Sequence, residues 1–130
     1  VRPSLGNWPP VKLTQTMTTA EFRAAALKVP GARESAHMNH PDFRVNGRIF
    51  ASLGYPDGGW GMVKLTPTQQ SAFTKEAPKM FAPCAGAWGK AGATSIHLAS
   101  ARKRILHKAL RAASQNIINR TESSAVLVTH

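Results

Sequence analysis

The dipeptide Asn46-Gly47 constrains this chain more than any other pair of residues. It lies between Pro41-Asp42-Phe43-Arg44-Val45 and Arg48-Ile49-Phe50-Ala51-Ser52-Leu53, two runs that carry β-branched and aromatic residues. A two-residue type I′ turn needs positive φ at both central positions, which Asn-Gly accepts readily. The pattern predicts a β-hairpin, with Val45 opposite Arg48 and Phe43 opposite Phe50. Gly54-Tyr55-Pro56-Asp57-Gly58-Gly59 turns the chain again, and Trp60 to Leu65 reads as a third strand. The expected centre is therefore a three-stranded antiparallel meander.

The flanks supply helices. Thr18-x-x-Glu21 is a capping box, followed by Phe22, Ala25, Ala26 and Val29 at helical spacing and stopped by Pro30-Gly31. Residues 34–39 read as a first strand from the alternation of Ala36 and Met38. Thr66 caps a short second helix, with Pro67 at its first position and Gln69 closing the box. Residues 80–93 carry Pro83, Gly86, Gly89 and Gly92 around Trp88 and read as a shaped loop. Thr94 to Leu98 is the last expected strand. Ser100 is expected to cap a long helix to about Ile118, apolar along Ile105, Leu106, Ala109, Leu110, Ala113 and Ile117.

Residues 1–16 read as a flexible arm or tag, 17–118 as one domain, and 119–130 as a flexible tail. Strands in runs with helices at the ends argue an α+β fold, with a single antiparallel sheet and helices packed on one face.

Composition narrows the function. Seventeen Lys and Arg face six Asp and Glu, a net charge of +11. Such an excess points to nucleic acid or an anionic surface, with no membrane partner expected, although a basic surface can also serve solubility alone. No apolar run approaches the ~20 residues of a membrane span, and the first residues lack the apolar core of a signal peptide. Cys84 is the only cysteine, so no internal disulfide forms, in keeping with a reducing cytoplasm.

Several motifs together resemble the MmcQ/YjbR family of small bacterial proteins. They are His40-Pro41-Asp42-Phe43-Arg44-Val45, Gly47-Arg48-Ile49-Phe50-Ala51, Gly59-Trp60, Val63-Lys64-Leu65-Thr66-Pro67 with Gln69-Gln70, and Gly86-Ala87-Trp88-Gly89. Thr19-Ala20-Glu21-Phe22-Arg23, with Leu27, Pro30 and Gly31, is similar to that family's start. The resemblance spans about residues 17 to 118. It implies a CyaY-like fold, related to double-wing DNA binders, and a DNA-binding role. It supplies no catalytic residues. The basic run Arg102-Lys103-Arg104 and the arm before Met17 depart from the family pattern.

Catalytic and metal signatures are absent from the sequence. There is no G-x-S-x-G and no P-loop. Gly89-Lys90-Ala91-Gly92 has the letters of a nucleic-acid-clamping GXXG loop, but such a loop joins two helices and a strand is expected here. His37 and His40 lack further ligands at metal-binding spacing. His40 suits a strand end, Cys84 a small half-buried thiol, and Asp42 a structural ion pair. The CyaY-like fold also hosts iron-handling proteins, but hard cations need clustered oxygens and the acids here are isolated.

Two basic surfaces remain. One carries Arg44, Arg48, Lys64 and Lys90, interleaved with Trp60 and Trp88. The other is a face of the last helix with Arg104, Lys108 and Arg111. From Lys79 to Arg120 there are eight basic residues and no acid. The leading expectation is a non-enzymatic, cofactor-free and metal-free monomer that binds duplex DNA through phosphates with little sequence preference. The alternative is a small-ligand or protein-binding module, its pocket formed by His40, Asp42, Trp60 and Trp88.

Overall fold

The Asn46-Gly47 turn forms as predicted. In the computed structural model φ is 52° at Asn46 and 76° at Gly47, and Val45 pairs with Arg48. The structure describes residues 17–54 and 57–129, with side chains through Thr121. The expectations for residues 1–16, Tyr55 and Pro56 lie outside the described residues.

Six strands form one open antiparallel sheet: β1 Arg33–His37, β2 His40–Val45, β3 Arg48–Leu53, β4 Trp60–Lys64, β5 Phe81–Pro83 and β6 Ala93–His97. Their order is β1-β2-β3-β4-β6-β5. The helices are α1 Thr19–Leu27, α2 Pro67–Glu76, α3 Gly86–Lys90 and α4 Lys103–Thr129. Both predicted capping boxes close: Glu21 N–H donates to Thr18 Oγ1, and Gln69 N–H to Thr66 Oγ1, each at 3.1 Å. The fold is the expected α+β, and the meander lies inside the sheet.

One face of the sheet meets α1, α2 and α4. Phe43, Phe50, Val63 and Ile96 from the strands, Phe22 from α1, Phe73 from α2, and Leu106 and Leu110 from α4 share one core. Each fully buried side chain of this size contributes about 1.5–3 kcal/mol. Gly61 of β4 lets α1 approach the sheet, because a Cβ there would stand 2.8 Å from the Phe22 ring. Met62, on the opposite face by strand alternation, forms a small second cluster with Cys84 and Ala93, against which Ile49 packs.

Four local expectations are corrected. Phe43 faces Ala51 rather than Phe50, because the register shifts after Arg44↔Ile49. An extra residue in β3 lets the consecutive Phe50 and Ala51 both enter the core, which strict alternation forbids. The first strand stops at His37, and Met38 and Asn39 form a second positive-φ turn at 51° and 65°. The region 80–93 is not a plain loop. It contains β5, paired through Phe81↔Ile96, and the short α3. Ser100 does not cap α4: its Oγ lies 3.2 Å from His97 Nδ1 within a short 3₁₀ turn, and Leu106 N–H donates to Arg102 O at 2.9 Å as α4 begins.

The last helix also runs beyond Ile118, reaching Thr129. Asn46 Nδ2 donates to Thr121 Oγ1 at 3.1 Å. The hairpin turn thus meets α4 where the sequence suggests a tail.

Candidate functional site

The bulge shapes the sheet beside the hairpin. The β3–β4 ladder ends at Ala51↔Val63, so Arg48 and Ile49 have no ladder partner in β4. A concavity of about 540 Å³ opens beside this splayed corner. The hairpin lines it with Arg44, Arg48 and Ile49, and the β4–α2 junction with Lys64, Leu65, Thr66 and Pro67. Trp88, Ala91 and Ala93 form a third wall, and Ala113, Asn116, Ile117 and Arg120 of α4 a fourth.

Glutamines hold these walls together. Gln69 and Asn116 exchange side-chain amide bonds of 3.2 and 2.8 Å, locking the start of α2 to α4. Gln70 Nε2 donates to Gly89 O, Ala93 O and Thr94 Oγ1 at 3.0–3.1 Å, fixing α3 against β6. The cleft is thus assembled by part-buried polar contacts from distant parts of the chain.

Among the described residues, four cations line the cleft and no carboxylate does. They are not equivalent. Asp42 is completely buried. Its Oδ1 accepts from Arg44 Nε at 2.8 Å and its Oδ2 from Arg44 Nη2 at 3.1 Å, while His37 Nδ1 lies 3.0 Å from Oδ2. These contacts, Arg44 first, hold the Asp42 carboxyl below its usual range despite burial. The same pair raises the Arg44 pKa. Arg44 therefore brings a largely compensated charge. Arg48, Lys64 and Arg120 form no ion pair with the described residues.

The structure brings together Arg44, Arg48, Lys64 and Trp88 from the predicted sites. Lys90 is exposed on α3 outside the lining. Trp60 also lies outside it, with its ring 4.7 Å from that of His97. His40 packs beside Gly54, and Asp42 faces Arg44 and His37. His40, Asp42 and Trp60 are therefore not part of the Trp88 cleft. The helix set is divided as well. Lys108 Nζ lies 3.3 Å from Glu76, Arg111 lines a separate groove with Lys28 and His107, and Arg104 is exposed on α4.

Arg120 and Asn116 join the cleft without having been expected there. Arg120 falls in the segment that the sequence reads as a tail, although Ala113, Ile117 and Arg120 keep helical spacing. That spacing is the available signal. Asn116 has none, since its role depends on Gln69 of another helix. Cys84 is buried and lies 3.3 Å from Ser95 Oγ, and burial pushes its thiol pKa up. Among the described residues no three His, Cys, Asp or Glu side chains come together as a metal site. Among the same residues no helix is long and apolar enough to cross a membrane.

No curated protein matches this chain. Among solved structures, the crystal structure of Deinococcus radiodurans protein DR2400, with a domain described as DUF419, is similar with a TM-score of 0.62. Identity is 17%, and the match covers 76% of this chain and 77% of that one. At that identity the likeness speaks for the fold alone. The YjbR family model matches residues 27–115, more than half of the chain and inside the span where the sequence motifs lie. That match takes in the hairpin, the second capping box and Trp88, the parts that build three walls of the cleft, and the chain belongs to the YjbR family.

Proposed function

We propose that this domain is a non-enzymatic nucleic-acid-binding protein that engages duplex DNA through phosphates with little sequence preference. The observation that carries the reading is the convergence of Arg44, Arg48, Lys64 and Arg120 on one cleft that no acid among the described residues lines. Local concentration of one charge sign attracts a polyanion and steers its approach. Phosphate contacts set position without reading bases. The reading includes a monomer acting in the cytoplasm, and the single cysteine of the sequence is in keeping with that compartment.

A salt titration on duplex DNA tests it. Arg48, Lys64 and Arg120 are the three cleft cations without an ion-pair partner among the described residues. If each meets one phosphate, log K falls with log[salt] at a slope near −2.7, from about −0.9 per contact. Affinity is expected on the order of 10⁻⁴–10⁻⁶ M at physiological salt. Replacing Arg48 and Lys64 by Ala should reduce the slope magnitude by roughly 1–2. Absence of binding at ~50 mM salt, where phosphate attraction is strong, would overturn the reading.

The cleft volume favours a second reading, a small-ligand module centred on Trp88 but without Trp60. About 540 Å³ falls within the roughly 300–1,000 Å³ of ligand pockets. Saturable binding of a phosphorylated small molecule, in a protein that ignores DNA, would favour it.

A further inference from the structure

The cleft is more than a charged surface. Its cations sit among Ile49 of β3 and Trp88 of α3, apolar side chains brought in by separate elements. Trp88 keeps 40% of its surface exposed, while most large apolar side chains among the described residues are buried. A continuous duplex can offer phosphates to the cations, but its bases remain paired and stacked inside the helix. It cannot cover apolar walls within a concavity of this size. A base taken out of the stack can.

We infer that the cleft takes one unpaired nucleotide of a nucleic-acid strand, with its base against Trp88 and Ile49 and the adjacent phosphates on Arg48, Lys64 and Arg120. This rests on the nucleic-acid reading above and specifies the strand form that the same site prefers. An aromatic ring beside cations that pair with no carboxylate among the described residues is the chemistry that binds single strands, because every base has a stacking face. Arg44 plays a smaller part, being engaged by Asp42 at 2.8 Å. The polar wall residues Thr66 and Asn116 already bond Gln69, so the site favours unpaired bases over a particular base.

The test compares four forms of one mixed-sequence oligonucleotide at constant salt: single strand, blunt duplex, duplex with a single-stranded overhang, and an abasic single strand. The single strand and the overhang should bind at least about fivefold tighter than the blunt duplex, the lower bound for one stacked base. The abasic strand, which keeps the phosphates, should lose that advantage. Trp88→Ala should weaken single-strand binding at least about fivefold, and Trp88→Phe less, because a ring remains. Should Trp88→Ala not fold, the abasic comparison on the unaltered protein still decides. Equal affinity for the base-bearing and abasic strands, or tighter binding of the blunt duplex than of the single strand, would overturn the inference and leave the nucleic-acid reading standing. Failure of every form to bind would overturn both.

Discussion

Asp42 has no exposed surface, yet it carries charge because Arg44 and His37 supply hydrogen bonds to both its oxygens. Two consequences follow at this scale. Asp42→Asn should destabilise the domain by about 1.5–3 kcal/mol, the range for hydrogen bonds to a charged group, read from the denaturant midpoint. It should also release Arg44 toward the cleft and steepen the salt dependence of DNA binding by up to about one phosphate contact. The pH dependence has a defined sign. The folded carboxyl pKa lies below its ordinary value of 3.8, so its contribution is fully present above that value. It is lost as pH falls through the folded pKa. Unfolding titrations should therefore show the gap between wild type and Asp42→Asn closing below about pH 4. Gly61 makes a steric demand. A Cβ at this position would stand 2.8 Å from the Phe22 ring, so Gly61→Ala should cost about 1–3 kcal/mol in the same denaturant assay.

The hairpin of β2 and β3 links stability to the cleft, because it carries Arg44, Arg48 and Ile49 and its turn bonds Thr121 of α4. Gly47 has φ 76°, which a β-branched residue resists. Gly47→Val should destabilise by about 1–3 kcal/mol and weaken DNA binding as well, measured by chemical melt and titration. The turn of the β1–β2 hairpin offers the contrasting case. Met38 has φ 51° and is 82% exposed. Met38→Gly should raise stability by about 1 kcal/mol, relieving the left-handed strain. DNA affinity should stay unchanged, since this turn lies outside the cleft lining. The Asn46-Gly47 turn is legible in the sequence because Asn-Gly advertises positive φ. Met38-Asn39 is not, because nothing about Met signals it.

Across the molecule, no described acid pairs with Arg48, Lys64 or Arg120. Glu21 lies 3.8 Å from Lys103, Glu34 3.0 Å from Arg23, and Glu76 3.3 Å from Lys108. Asp42 pairs with Arg44, and Asp57 accepts from Gly59 N–H at 3.1 Å. Arg48, Lys64 and Arg120, without an ion-pair partner among the described residues, therefore set the charge of one corner. Replacing Arg104 and Lys108 by Ala should leave the DNA salt slope nearly unchanged, unlike the Arg48 and Lys64 pair. A slope that falls with the helix pair instead would move the interface to α4.

Sequence alone determined the α+β class, the Asn46-Gly47 hairpin, both capping boxes and the basic surplus. Each is written in neighbouring residues or in a sum over them: a turn needs two left-handed positions, a cap needs a hydroxyl three residues before its partner, and charge needs only counting. Tertiary structure decided the cleft. The β3 bulge arises because Phe50 and Ala51 both enter the core. It leaves Arg48 and Ile49 beyond the β4 ladder. The continuation of α4 brings Arg120 to them, and the Gln69–Asn116 pair closes the wall across a separation of 47 residues. Those outcomes depend on which distant surfaces pack together, and no local pattern of residues encodes that.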